Sequence, residues 1–374
     1  APALLEQAAT VRAAGADARQ ARAWANPSLG YTGENLGAPK MDGVSQRQDT
    51  YTLTQVFEIG GKRSARIEAE QRKADAVGAR ERQIRIAFAN ELAVAYATAE
   101  AMQLRKQVAD AELARANDDF RATTALVQAG REAQLRLAQA RASVSAAEAA
   151  VQSAVADATD ALERLSAVAG ADQPYTGISH PFLDHAIAPR SDQRWTTDAS
   201  PALASARAES DALTAQVRME QKRWVPDVGV SAGMRKFGWS NERAAIIGVN
   251  INIPLFDRNQ HGVTAARERA SAAEQRVEAA RLEAQATHRA AQARVVATER
   301  RLQAAEQGET AAVDAYRLGR AGYDAGKTPL IELLAIRRAL SEAQALSIEA
   351  RLARVRALAT LFTAEGRIAF GVTP

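Results

Sequence analysis

Residues Ile246–Phe256 read IIGVNINIPLF. From Ile247 every second residue is a branched aliphatic (Ile247, Val249, Ile251, Ile253, Leu255), and Gly248, Asn250, Asn252 and Pro254 lie between them. A period of two with one apolar and one polar face is the pattern of a β-strand. Tyr51, Leu53, Gln55, Phe57 and Ile59 alternate with Thr50, Thr52, Thr54 and Glu58, and Val228, Val230, Ala232 and Met234 alternate with Asp227, Gly229 and Ser231. Four strands are predicted, over about 26–35, 49–59, 225–235 and 244–256. Most of the remaining chain is rich in Ala, Arg, Glu and Gln and reads as long helix. The strands therefore need something to cover their apolar faces.

Composition narrows what that cover is. Aromatic residues make up only 5% of 374 residues, too few for large globular cores of the usual kind. Charged residues are 25% with both signs interspersed, and the net charge is +4. No basic block interleaved with aromatics is present, which argues against a nucleic-acid partner and against a basic coiled coil built to bind one. No run of 18 apolar residues occurs, so no transmembrane helix is predicted. No secretory signal opens the chain, and Ala1 is expected to be a mature or trimmed start. The absence of cysteine excludes disulfides and thiolate metal sites and suits a cell-envelope compartment.

The chain is a tandem duplication. Pro2 and Leu4 match Pro201 and Leu203 at an offset of 199, and the same offset pairs NPSLGY at 26–31 with VPDVGV at 225–230. QAGREAQLRLAQAR at 128–141 aligns with DAGKTPLIELLAIR at 324–337 at an offset of 196. Gly130 precedes Gly170, and Gly326 precedes Gly366, by the same 40 residues. Such internal periodicity sets the domain plan before any local reading. The plan is a first repeat over 1–169, a Pro-rich connector over 170–197 packed outside the helices, and a second repeat over 198–374. Each repeat runs helix, strand, turn-forming loop, strand, very long helix, Gly-containing turn and returning helix. The helical segments are expected at about 1–25, 62–169, 198–224 and 260–368.

The long helices carry narrow stripes of small apolar residues. In the first, Ile84, Phe88, Leu92, Ala95, Ala99, Met102, Ala109, Leu113, Ala116 and Phe120 keep helical spacing. In the second, Val277, Ala284, Ala291, Val295, Leu302, Ala305, Ala312 and Tyr316 do so. Such stripes suit close helix–helix seams. A helix of about 62 residues is roughly 93 Å long, so an elongated helical wall is expected.

Two hairpins with one apolar face and free edges have no partner sheet in this chain. A transmembrane β-strand needs about 9–11 residues, which these stretches supply. Four strands do not close a barrel, because membrane barrels start at about 8. Copies of the chain must pool their strands.

The chain resembles the TolC-like outer membrane factors, and within them the branch serving heavy-metal efflux pumps of the RND type. The resemblance covers essentially the whole chain and rests on NPSLGY at 26–31, QVFEIGGKR at 55–63 and IPLFDRNQHG at 253–262, with a looser Gly-x-x-x-x-[Leu/Ile] pattern after Gly130 and Gly326. Val56 stands where relatives usually carry Pro. The resemblance implies a mainly α-helical fold with a membrane β-barrel: a homotrimer with a shared 12-stranded barrel and a periplasmic α-helical barrel. It implies a passive exit duct in the outer membrane of a Gram-negative bacterium, reaching into the periplasm. Its partners would be a periplasmic adaptor (membrane fusion protein), an inner-membrane RND pump and outer membrane lipid. A duct for drugs or organic compounds, and a periplasmic adaptor or coiled-coil scaffold, are the alternatives. The adaptor reading is disfavoured by two helical hairpins without a lipoyl-like β-domain. Many relatives carry a lipidated N-terminal Cys, and lipidation stays open here.

The same resemblance implies site residues. Gly130 and Gly326 mark adaptor-docking tip turns. Glu332 falls where relatives carry a constricting Asp, and a ring of three would favour cations. The second acidic position is Ala335, so one ring is expected. Tyr323 matches a tyrosine that latches the closed tip, whereas Thr328 replaces the basic residue of that latch. Gly60, Gly61, Asp257 and Asn259 mark the barrel-to-tunnel transition, with Lys62 and Arg63 at its rim. Tyr31, Tyr51, Phe57, Phe237, Trp239 and Phe256 are either interfacial aromatic girdles or subunit contacts.

No metal or cofactor site is expected. His180, Asp184 and His185 in HPFLDH have no strong ligand spacing and read as surface connector, as do the isolated His261 and His288. GYDAGK lacks the arrangement of a phosphate-binding loop, and no nucleophile motif or paired-carboxylate geometry supports an enzyme.

Overall fold

The computed structural model describes residues 1–184, 195–240 and 242–368. Six α-helices and four strands follow in the order α1 (Pro2–Gln20), β1 (Ser28–Glu34), β2 (Gln48–Glu58), α2 (Lys62–Gln128), α3 (Gln134–Ala169), α4 (Pro201–Lys222), β3 (Asp227–Phe237), β4 (Arg243–Ile251), α5 (Gln260–Asp324) and α6 (Leu330–Glu365). The chain forms two compact units, each drawing on both sequence halves. One comprises 1–5, 82–201 and 282–374, and the other 6–81 and 202–281.

The second unit holds a four-stranded antiparallel sheet in the order β1-β2-β3-β4. Its register places Leu29 opposite Leu53 and Tyr31 opposite Tyr51, then Tyr51 opposite Met234 and Leu53 opposite Ala232. Val230 pairs with Val249 and Val228 with Ile251. Directly paired residues share a face, so the apolar sets of all four strands merge into one apolar surface. Among the described residues most of it is uncovered: Leu29 and Ile247 are each 82% exposed. The opposite face carries Thr50, Thr52, Thr54, Ser231 and Asn250. Strand β4 ends at Ile251, earlier than the alternation to Leu255 predicts. Pro254 has no N–H for a ladder, and Leu255 N–H turns back to the Ile253 carbonyl at 3.0 Å.

The first unit is held by alanine-lined seams. Ala99 packs with Ala161 and Leu165 of α3, while Ala97 and Ala101 pack with Ile348, Leu352 and Val355 of α6. Helix α2 is thus buried on two sides there, and the single stripe read from sequence captures one of them. Interaxial distance at such seams shrinks with side-chain size, which is why alanine dominates. The four glycines of the repeat period share one device. Gly130, Gly170, Gly326 and Gly366 all have φ of 70–75°. Gly130 N–H reaches the Val127 carbonyl and Arg131 N–H that of Leu126; Gly326 and Lys327 do the same to Tyr323 and Gly322. These are Schellman ends, which need a left-handed residue after the helix. Gly170 lies against Pro2 and Gly366 against Pro201, so the end of each returning helix abuts the first turn of its repeat's leading helix.

Candidate functional site: the helix-turn end and the sheet-to-helix junction

At the helix-turn end of the first unit, Tyr323 and Glu332 flank the α5–α6 turn. Glu332 is exposed in the first turn of α6, where its carboxylate complements the helix dipole. Tyr323 is half-buried in the last turn of α5. Burial, and then the Asp119 and Glu132 carboxylates, push its phenol above the ordinary value, while Arg320 and Arg136 oppose them. The phenol therefore stays protonated and able to donate. Thr328 turns inward, its N–H bonded to the Gly322 carbonyl at 3.2 Å, and makes no ionic latch.

The strongest electrostatic feature here is one that sequence reasoning missed. Arg337 of α6 is 4% exposed. Its Nη1 lies 2.5 Å from Asp119 Oδ2 and its Nε 2.8 Å from Glu112 Oε1, both acids on α2. Arg320 of α5 approaches the other Asp119 oxygen at 3.5 Å, and Ser341 Oγ donates to Glu112 at 2.9 Å. One buried cluster thus ties α2, α5 and α6 together. Burial raises the Asp119 pKa and outweighs the opposing pull of Arg337 and Arg320. A signal for it exists in the sequence: Arg337 occupies a core position in the series Leu330, Leu333, Arg337, Leu340.

At the junction of the second unit, Gly60 and Gly61 have φ of 64° and 82° and turn β2 into α2. Lys62 Nζ then sits 2.7 Å from both Asp227 oxygens, joining the start of α2 to the start of β3. In the second repeat Asn259 makes the equivalent turn with φ of 54°. Asn259 N–H bonds to Asp257 Oδ1 at 2.9 Å, and its side-chain amide donates to the Glu220 carbonyl at 3.0 Å, satisfying the end of α4. Gly60, Gly61, Asp257 and Asn259 thus build the turns that lead from β2 into α2 and from the segment after β4 into α5. Lys62 and Arg63 are both engaged, the latter with the Arg22 carbonyl and the Trp24 ring.

The connector is clamped to α2. Tyr96 Oη donates to the His180 carbonyl at 2.8 Å, and the Glu100 carboxylate accepts the N–H groups of Phe182 and Leu183 at 2.8 and 3.0 Å. Within HPFLDH, Leu183 is 2% exposed, whereas His180 and Asp184 are exposed; Asp184 pairs with Arg351 at 3.1 Å, and His185 lies outside the described residues. His288 corrects an expectation. It is not isolated but 6% exposed, stacked on Trp195 with centroids 3.7 Å apart and with Nε2 3.3 Å from Glu365. His261 is exposed. Among the described residues no group of three or more His, Cys, Asp or Glu converges as a metal site, and no helix is long and apolar enough to cross a membrane. Of the aromatics, Tyr31 meets Tyr51 at 5.2 Å and Phe237 meets Trp239 at 4.5 Å, all four on the sheet or its loops.

Comparison with known proteins agrees with this architecture. The chain is 56% identical over 372 residues to the nickel-cobalt-cadmium resistance protein NccC of Alcaligenes xylosoxydans xylosoxydans, covering 99% of this chain and 84% of that one. It is 55% identical to the nickel and cobalt resistance protein CnrC of Cupriavidus metallidurans, covering 99% and 88%. Among solved structures, CusC superposes with a TM-score of 0.82 at 18% identity, over 97% of this chain and 89% of that one. The channel VceC of Vibrio cholerae superposes with a TM-score of 0.76 at 20% identity, over 98% and 93%. The fold is therefore the TolC-like channel fold. The outer membrane efflux protein family matches residues 1–171 and 196–367, and the chain belongs to that family.

Proposed function

We propose that this chain is the outer membrane exit duct of a tripartite RND efflux system that exports heavy-metal cations. The observation that carries the reading is the sheet: four strands with an apolar face left largely exposed among the described residues and two unpaired edges, β1 and β4. In water such a face and such edges are an aggregation liability. In lipid, with edges joined between copies, both are satisfied. Three chains supply twelve strands, enough for a closed barrel. The names of the relatives sharing more than half of this sequence point the cargo toward nickel, cobalt and cadmium.

In this reading the repeats (1–169 and 198–374) flank a connector over 170–197, and the helices form the periplasmic tunnel. The Gly130 and Gly326 turns meet a periplasmic adaptor, which couples the duct to an inner-membrane pump. Glu332 lines the gate as a ring of three, and Tyr323 steadies the closed tip. The test is genetic and physical. Deleting the gene in its host should lower nickel and cobalt tolerance, and the purified protein should mass as three chains in detergent. Unchanged metal tolerance with new sensitivity to organic toxicants would redirect the cargo. Recovery of the protein from the soluble fraction without detergent would end the duct reading.

A further inference from the structure

Beside the sheet-to-helix junction, three side chains from three successive segments form a ladder on the surface. The Trp24 indole, in the segment between α1 and β1, meets the Phe57 ring of β2 edge-on, with centroids 6.3 Å apart and planes at 77°. The Arg63 guanidinium of α2 lies over the same indole, 4.8 Å from its centroid. Phe57 shares its face with Tyr51 and Leu53 by strand alternation, so the ladder leads from the apolar sheet face to a cation. Trp24 nevertheless stays 60% exposed. An amphipathic indole at the rim of an uncovered apolar face suits the boundary between hydrocarbon and headgroup.

The neighbouring charges are unequal. Lys62 is neutralised by Asp227 at 2.7 Å, and Arg66 by Glu58 at 2.5 Å. Arg63 has no carboxylate partner among the described residues. Its Nη2 donates to the Arg22 carbonyl, which holds the guanidinium on the indole, and its Nε is enclosed without a hydrogen-bond partner. Arg22 itself is exposed in the turn that follows α1. The Arg63 guanidinium thus caps an exposed indole at the end of an apolar face, the complement of a phosphodiester carrying acyl chains.

We infer that Trp24 and Arg63 form a headgroup site for an anionic phospholipid, with its phosphate at the Arg63 guanidinium and its acyl chains along Phe57 and Leu53. The inference rests on the reading of the sheet as part of a lipid-embedded barrel. A tryptophan in the corresponding segment of the second repeat, one position out of register with Trp24, supplies an internal control. Trp224, between α4 and β3, is 56% exposed, yet among the described residues no guanidinium covers it. Trp224 is an apolar anchor without the charge.

The test uses the full chain purified in detergent and equilibrated with equal amounts of phosphatidylglycerol and phosphatidylcholine, with retained lipid quantified by mass spectrometry. The wild type should enrich phosphatidylglycerol. Arg63→Gln should lower that enrichment about fivefold, the effect expected for one basic side chain at a lipid surface, Trp24→Ala should lower it as well, and Trp224→Ala should not change it. Arg63→Lys keeps the charge and should keep most of the enrichment. Equal retention of both lipids by the wild type, or an equal loss in Trp224→Ala, would overturn the site. Displacement by inorganic phosphate alone would assign a free-phosphate site and overturn it too. Native mass in the same samples separates the two readings: a trimer without lipid preference refutes only the headgroup site, and a monomer that needs no detergent refutes the barrel.

Discussion

Arg337 Nη1 donates to Asp119 Oδ2 at 2.5 Å across 218 residues of sequence, and both side chains are more than nine-tenths buried. Breaking such a pair from one side strands a charge in a low-dielectric site. Arg337→Ala leaves Asp119 and Glu112 facing each other without their shared cation, and should lower stability by about 3–5 kcal/mol. Thermal unfolding followed by circular dichroism reads this. Replacing both members with apolar residues, Arg337→Met with Asp119→Leu, should recover most of the loss, because no buried charge then remains. A double variant as unstable as the single would show that the cluster matters through packing rather than charge.

The same cluster sets a pH dependence. Burial raises the folded-state pKa of Asp119 above its ordinary 3.8. The folded state therefore binds the proton more tightly than the unfolded chain. By linkage, the contribution of this group to stability is fully present below pH 3.8 and is lost as pH rises through the raised value. Comparing wild type with Asp119→Asn isolates it: the melting-temperature difference should move against the wild type as pH rises through that window. The penalty of Arg337→Ala should likewise shrink in acid, where Asp119 is protonated. A difference that stays flat with pH would contradict the assigned direction.

Two classes of glycine should respond differently to alanine. Gly326 has φ of 71° with nothing within 4 Å of an added Cβ, so Gly326→Ala carries only the left-handed backbone cost. That cost is about 1–2 kcal/mol. Gly60 has φ of 64°, and its added Cβ would meet Val225 Cγ1 at 2.6 Å. Val225 is β-branched and stiff, so the clash has no easy rotamer escape. Gly60→Ala should therefore reduce assembled protein in the outer membrane well below the level of Gly326→Ala, as measured by membrane fractionation. Equal yields would mean that the junction tolerates the shift.

The strands were legible because their alternation is a local periodicity. Val249 and Ile251 announce their face to any reader of alternate positions, and Gly130 and Gly326 recur with the repeat. The Arg337 cluster was not legible because its partners, Glu112 and Asp119, lie on another helix and look like ordinary solvated acids in a charge-rich stretch. Only the intrusion of Arg337 into a leucine stripe hints at burial. His288 shows the same limit. A lone histidine in a polar helix reads as surface until Trp195, brought in from the end of the connector, stacks on its ring at 3.7 Å. The second buried side of α2 was hidden for a related reason. Alanine at Ala97 and Ala101 is as common on exposed helix faces as in tight seams.

One substitution at Glu332 tests the proposed gate separately from folding. The residue is exposed in the first turn of α6, and no salt bridge of this chain holds it among the described residues. Removing its carboxylate forfeits only a favourable interaction with the helix N-terminus, about 0.3–1 kcal/mol. Glu332→Ala should thus leave the melting temperature and trimer yield nearly unchanged. In a trimer, however, three carboxylates around one axis would attract cations and obstruct the passage of other solutes. Single-channel recordings in planar bilayers should then show raised conductance or weakened block by multivalent cations in Glu332→Ala. Glu332→Asp keeps the ring and should stay near wild type. If conductance and block are both unchanged while the protein is normally assembled, Glu332 is an ordinary solvated residue and the constriction lies elsewhere along the tunnel.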